Sequence, residues 1–304
     1  MSPQAARRLW ESSRGDASGA RAWLRRARFM VLAWRHHAAM RAILEARPGS
    51  LLHSIAAQRP AVFGFTRAPY LVAAWRPAAR FAEYVRHAET ADTIGALMNF
   101  APDLSVELMT LEEIGPGYHI VLDKPEWMFR EGLVTLNLFR DNLRLFSLTF
   151  SFCRDEGDLS AIVGGLQGRS LPGILDAYRD LTKAAHGLRP RDLTVELFRL
   201  FCAANGVVGI RAVSNAGRIH QGELFKAKHY ASLNYDEAWT DRGGVRLDDD
   251  FFELPLEREV RAERDIPQKK RAMYRRRYDL LAIMEDRMKR ACADPLVTRR
   301  PAAE

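Results

Sequence analysis

The chain has 304 residues, 47% hydrophobic and 28% charged, enough apolar material for one large core or two modest ones and unlike a disordered chain. Its formal net charge of +8 favours anionic partners such as nucleic acid, acidic lipid headgroups or phosphate-bearing cofactors, without choosing among them. Cys153, Cys202 and Cys292 are scattered and form no CxxC pair, which argues against a disulfide framework and a zinc ribbon, and no metal is expected.

Residues 1–50 carry ten arginines against Glu11, Asp16 and Glu45. The first twenty read as a loose arm. A helix is predicted over 20–47, closed by Pro48-Gly49. Trp23, Ala27, Met30, Trp34 and Ala38 recur along it at helical spacing. A basic helix of this kind suits a membrane surface or packing on its own domain, and packing is the simpler reading. Phe29–Trp34, six residues long, is shorter than the roughly 7–15-residue core of a secretory signal. No run approaches the ~20 apolar residues of a membrane span. The expectation is a cytoplasmic protein, at most peripheral to the inner membrane.

Residues 51–115 read as mainly helical, broken by prolines at 60, 69, 77 and 102. The period then changes. A short strand is predicted over 117–122 and another over 133–140, followed by a two-residue turn at Asp141-Asn142. Phe146, Leu148, Phe150 and Phe152 then alternate with Ser147, Thr149 and Ser151, the pattern of a half-buried strand. A turn at 155–158 leads to a strand over 159–167, which completes an antiparallel meander. After Gly168 the spacing becomes helical over 171–186 and 191–205. Gly206 is placed as a C-cap, and 207–214 reads as a strand. The fold class is therefore α/β (α+β): a helical N-terminal region, then a mixed, largely antiparallel sheet with packed helices. The divisions are a basic arm and helix (1–50), a mainly helical region (51–115) and an α/β core (116–304) ending in a basic helix that begins near Ile266.

Several segments resemble the VirK/YbjX family of bacterial proteins. They are Gly164-Gly165-Leu166-Gln167-Gly168, Thr182-Lys183, His186-Gly187-Leu188-Arg189-Pro190, Val213-Ser214-Asn215, Tyr235-Asp236 with Trp239, Gly243-Gly244, and the stretch from Ile266 to Tyr278. The resemblance covers roughly residues 51–288. It implies a link to virulence, the cell envelope and resistance to cationic antimicrobial peptides. It supplies no biochemical activity and no catalytic residue to carry over.

The succession of strand, glycine turn, helix, glycine, strand and Asn215 is also similar to the core of GNAT-type acyltransferases, where backbone amides at a helix start bind the pyrophosphate of coenzyme A. The physical basis is general, because unpaired N–H groups and the helix dipole favour an anion there. The pattern departs from that family in lacking a clean R-x-x-G-x-G/A loop and in placing two helices between the strands. On this reading Gln167, Gly168, Arg189 and Arg191 would meet the phosphates of an acyl-CoA or another acyl thioester, and Asn215 its amide-bearing arm. The simpler reading makes the glycines element ends and the arginines solvated.

His186, His220 and His229 are candidate proton carriers. Tyr235, Asp236 and Trp239 follow His229; on a helix Tyr235 and Trp239 share a face with Asp236 beside them, either an acceptor wall or ordinary packing. The catalytic candidates are thus His229, Tyr235 and Asp236, with an acyl acceptor of the cell envelope as substrate. Asp248-Asp249-Asp250 lacks the EF-hand spacing and reads as a charged turn. Lys269, Lys270, Arg271 and Arg275 crowd the start of the last helix against its dipole, either as a site for an anionic partner or membrane surface or as a face paired with Glu257, Glu259, Glu263 and Asp265. A non-catalytic adaptor working through the basic ends is the main rival reading. Nucleic-acid binding is supported by charge alone.

Overall fold

Nine strands form one sheet in the computed structural model of the protein, which describes Leu9 and residues 19–222, 225 and 233–299. In chain order they are β1 (Leu104–Thr110), β2 (Tyr118–Asp123), β3 (Val134–Arg140), β4 (Leu143–Asp155), β5 (Asp158–Gly168), β6 (Gly209–Val213), β7 (Val245–Arg246), β8 (Phe251–Leu254) and β9 (Leu296–Arg299). Across the sheet the order is β7-β8-β6-β5-β4-β3-β2-β1-β9. The meander of β1 to β5 is antiparallel throughout, and β5 pairs with β6 in parallel. The turn between β3 and β4 falls at Asp141, whose φ of 51° is the left-handed conformation a two-residue hairpin needs. Strands β1, β7, β8 and β9 are additions to the predicted elements.

Strand β4 is buried on both faces, not half-buried. Phe150 and Phe152 meet Phe201 on one face. On the other, Ser147, Thr149 and Ser151 are within 1% of full burial because their hydroxyls have partners. Ser147 donates to Asn137 Oδ1 at 2.8 Å, Thr149 meets the Thr135 hydroxyl at 2.9 Å, and Ser151 meets Tyr70 Oη at 3.1 Å while accepting the Leu133 N–H. A buried hydroxyl with a partner costs little, so the polar half of the alternation does not require water.

The N-terminal helix divides at His36 into α1 (Ala20–Arg35) and α2 (His37–Leu44). Phe29, Met30 and Ala33 reach the core, whereas Trp23 and Trp34 are 64% and 72% exposed. Of the predicted stripe, Met30 therefore packs on the domain while the two tryptophans do not, because the turn carrying Ala33 faces inward instead. Helix α3 (Leu51–Gln58) starts at Ser50, whose hydroxyl accepts the His53 N–H. Helix α4 (Pro77–Ile94) lies on the serine–threonine face of β4. Its Tyr84 packs with Phe65 and Tyr70.

The opposite face carries α5 (Ile174–Ala184) and α6 (Pro190–Ala204), the two helices that connect β5 to β6. Phe198 and Phe201 of α6 press on Phe150. Helix α8 (Gln268–Ala293) packs on α6 through Leu281, Met284 and Met288, all buried. A short helix, α7 (Tyr235–Thr240), sits beside β6 and β8. No helix among the described residues is long and apolar enough to cross a membrane.

Candidate functional site

The central parallel pair parts midway. Strand β5 follows β6 from Ser160↔Gly209 to Val163↔Ala212, then runs on to Gly168 paired only with β4. A register shift at Thr149/Phe150 marks the same point. The opening beside 164–168 is where β5 has backbone groups with no strand partner.

Helix α7 supplies one partner. Tyr235 is fully buried, and its Oη accepts the Leu166 N–H at 2.7 Å. Asn215, just after β6, clasps the start of α7. Its Oδ1 accepts the Tyr235 N–H at 2.9 Å, its Nδ2 donates to Asn234 at 2.5 Å, and its own N–H donates to Asp236 Oδ1 at 2.7 Å. Asp236 Oδ2 also accepts from Arg246 at 2.5 Å. Trp239 closes the clasp by donating its indole N–H to the Val213 carbonyl at 2.9 Å. The Tyr235 and Trp239 rings do share a face, 5.5 Å apart.

A carboxylic acid lies beside this opening. Glu131 is 2% exposed, in the loop between β2 and β3. The Gln167 amide donates to both its oxygens, at 3.1 and 3.0 Å. Gly164 and Gly165 let the loop approach this closely: a Cβ on the first would strike the Glu131 carbonyl, and one on the second its carboxyl. Gln167 stands opposite Ser147, so Glu131 is on the α4 face of the sheet, away from α5 and α6.

His220 Nδ1 lies 3.8 Å from Glu131 Oε1, and its side chain is the more exposed of the two, 20% against 3%. Burial pushes the Glu131 carboxyl up to about 8, against the pull of Arg218 and the Gln167 hydrogen bond. Burial, helped by Arg218, pushes the His220 imidazole down to about 4. The two shifts agree that near pH 7 the pair is mostly protonated acid beside neutral imidazole, so the contact is not an ion pair. Arg218 stacks 3.9 Å over the Tyr235 ring and donates to the Leu233 carbonyl. An acid poised near neutrality, a neutral imidazole and a fixed amide together can accept and return a proton.

The predicted site residues divide. Gln167, Tyr235, Asp236 and Asn215 gather at the opening, with the Gln167 amide nitrogen and the side chains of the other three already engaged. Gly168 is where β5 touches Phe146 and Tyr178, both of which a Cβ would meet at 2.8 Å. Arg189 and Arg191, at the start of α6, both face Asp192 and Asp241. Lys269 and Lys270 are exposed at the start of α8, Arg271 donates to the Ile266 carbonyl, and Arg275 lies 3.3 Å from Glu263. His229 lies outside the described residues. Glu131 was not among the predicted residues; it is a single acid in a loop, without periodic context.

Comparison with known proteins finds relatives whose activity is equally open. The family described as protein of unknown function (DUF535) matches residues 18–290. Uncharacterized protein YbjX of Escherichia coli (strain K12) is 34% identical over 164 residues, 53% of this chain and 49% of that protein. Two uncharacterized proteins of Haemophilus influenzae are 29% identical over 188 residues and 30% identical over 155 residues, covering 59% and 50% of this chain. The chain thus spans about half to three fifths of the length of these relatives: 49%, 61% and 50%. No solved structure matches.

Proposed function

The chain belongs to the family of unknown function DUF535, and within it we propose that this protein transfers an acyl group from a thioester to an amine or hydroxyl acceptor, with Glu131 and His220 handling the acceptor's proton. The observation that carries the reading is the parting of β5 from β6 after Val163 and Ala212, beside 166–168. An open parallel pair at this point is what an acyltransferase core of the type the sequence resembles calls for. In the reaction the acceptor's N–H or O–H loses its proton to the Glu131 carboxylate. The acceptor then bonds to the acyl carbon, the C–S bond breaks, and the thiolate leaves. With the carboxyl at about 8, a minority is ionised near pH 7 and the fraction grows with alkalinity. An envelope constituent is the acceptor class the family resemblance implies.

A donor's phosphates fit the start of α6 less simply, since Arg189 and Arg191 there face Asp192 and Asp241. Binding at that point would displace Asp241 from the guanidiniums. Calorimetry against acetyl-, palmitoyl- and free coenzyme A tests the proposal, and silence at millimolar ligand would sink it.

A second reading, an adaptor on an anionic membrane surface, is favoured by the exposure of Trp23 and Trp34 on basic α1. Co-sedimentation with anionic and neutral vesicles at low salt decides it: no preference for anionic vesicles counts against it.

A further inference from the structure

We propose that the pocket on the α5–α6 face of the sheet binds a single-chain anionic amphiphile, with its apolar chain on the pocket floor and its phosphate or carboxylate head at the rim. The site lies on the face opposite Glu131 and stands whether or not the protein transfers acyl groups.

The pocket has a volume of about 840 Å³, within the roughly 300–1,000 Å³ of small-molecule sites. Its floor is Phe146 from β4, Tyr178 from α5, Leu233, and Met273 from α8, with Leu175 of α5 at the mouth. Leu175 is 65% exposed, so the pocket mouth presents apolar surface to water. The fold builds this shape through the turn joining α5 to α6. There His186 and Gly187 both have positive φ, and the His186 carbonyl accepts from Arg277 Nε and Nη2 at 3.1 and 2.9 Å, tying α8 against the turn. A Cβ on Gly187 would press on Arg277 and Met273.

Charge selects the ligand's head. Arg179, Lys183, Arg189, Arg191 and Arg276 line the pocket, and among the described residues no Asp or Glu does. Three of these cations are already countered, Arg179 by Asp176 and Arg189 and Arg191 by Asp192 and Asp241. Lys183 and Arg276 have no carboxylate in ion-pairing range among the described residues. Two exposed, uncountered cations over an apolar floor complement an acid with a tail. A neutral lipid would leave both cations unmatched, and a small anion would leave the floor wet. A free fatty acid, a lysophospholipid and an acyl thioester share this chemistry.

The test is calorimetry of the full chain with laurate, lauroyl lysophosphatidylglycerol and lauroyl-coenzyme A below their micellar concentrations, with dodecyl maltoside as the neutral control. At least one anionic ligand is expected to bind about tenfold or more tightly than the maltoside. The K183E/R276E double variant, changed only at exposed positions, should lose that preference, and L175Q should weaken every ligand; melting curves confirm that both variants fold. Whichever anionic arm binds identifies the source of the ligand. Equal affinity for the maltoside, charge reversal without effect, or no anionic binding below millimolar overturns the proposal. Laurate binding that survives in E131Q separates the pocket from the transfer reaction. Transfer that persists when all three anionic ligands fail in calorimetry retires the pocket alone.

Discussion

The Gln167 amide donates to both oxygens of Glu131, at 3.1 and 3.0 Å, and so joins the end of β5 to a loop 36 residues earlier. Gln167, one of the motif residues predicted to meet a donor's phosphates, thereby fixes the orientation of an acid.

Replacing Glu131 by glutamine keeps the shape and removes the titration. Acyl transfer by E131Q should fall by about 10²–10⁴-fold, the usual worth of a positioned acid–base group, and the rise in rate towards pH 8 should vanish. Rate–pH profiles of both proteins check this. An unchanged profile would move the proton-handling role elsewhere.

The same group links stability to pH. Its folded value, about 8, lies above the unfolded one of about 4.5, so its contribution is fully present below pH 4.5 and is lost as pH rises through 8. Above pH 6.5, where the histidines are neutral in both states, urea midpoints should therefore decline towards pH 8.5 in the wild type and decline less in E131Q. Parallel slopes would show that Glu131 ionises normally. His220, depressed to about 4, works in the other direction: its share is present above about 6.5 and lost as pH falls through 4.

Gly164→Ala should be severely destabilising, by more than about 2 kcal/mol, because the new methyl meets the Glu131 backbone and not a side chain that can swing away. Gly173→Ala is the control: its site has open space, so only the strain of its φ of 76° applies. Denaturant titration of both variants should rank them in that order.

Tyr235→Phe removes the acceptor of the Leu166 N–H while keeping the ring. A buried donor left unpaired costs about 1–3 kcal/mol, so the variant should melt earlier. If the opening receives an acyl thioester, that N–H becomes available to it, and calorimetry should show tighter donor binding despite the lower stability. Weaker donor binding would mean that the Tyr235 hydroxyl itself contacts the donor.

The meander was legible because β3, β4 and β5 are long enough to show their period, and because Asp141 marks the turn between β3 and β4. The edge strands were not. Strands β7, β8 and β9 have two, four and four residues, too few for alternation to register. Strand β1 fell in a region whose prolines and helices set the local reading. The burial of Ser147, Thr149 and Ser151 depends on partners from β3, Tyr70 and the loop at Leu133, which no local pattern reports. For the site, the glycine pair and Gln167 stood out in the sequence, but what they accommodate did not. Glu131 becomes a candidate only when β5 is laid against the β2–β3 loop. Asp236 was legible as a carboxylate beside aromatics and Asn215 as the polar residue that follows a strand, and the structure shows both engaged in seating α7.

Strand β9 pairs with β1 across a separation such as the 193 residues between Ser105 and Thr298. During synthesis, β1 therefore emerges from the ribosome long before its outer partner exists. At about 5–20 residues per second the nascent domain spends on the order of ten seconds or more with that strand's free hydrogen-bonding groups available to a neighbouring chain. Glu107 and Ser105 on β1 make that edge partly polar, and chaperone demand should be greatest in the interval before the C-terminal residues appear.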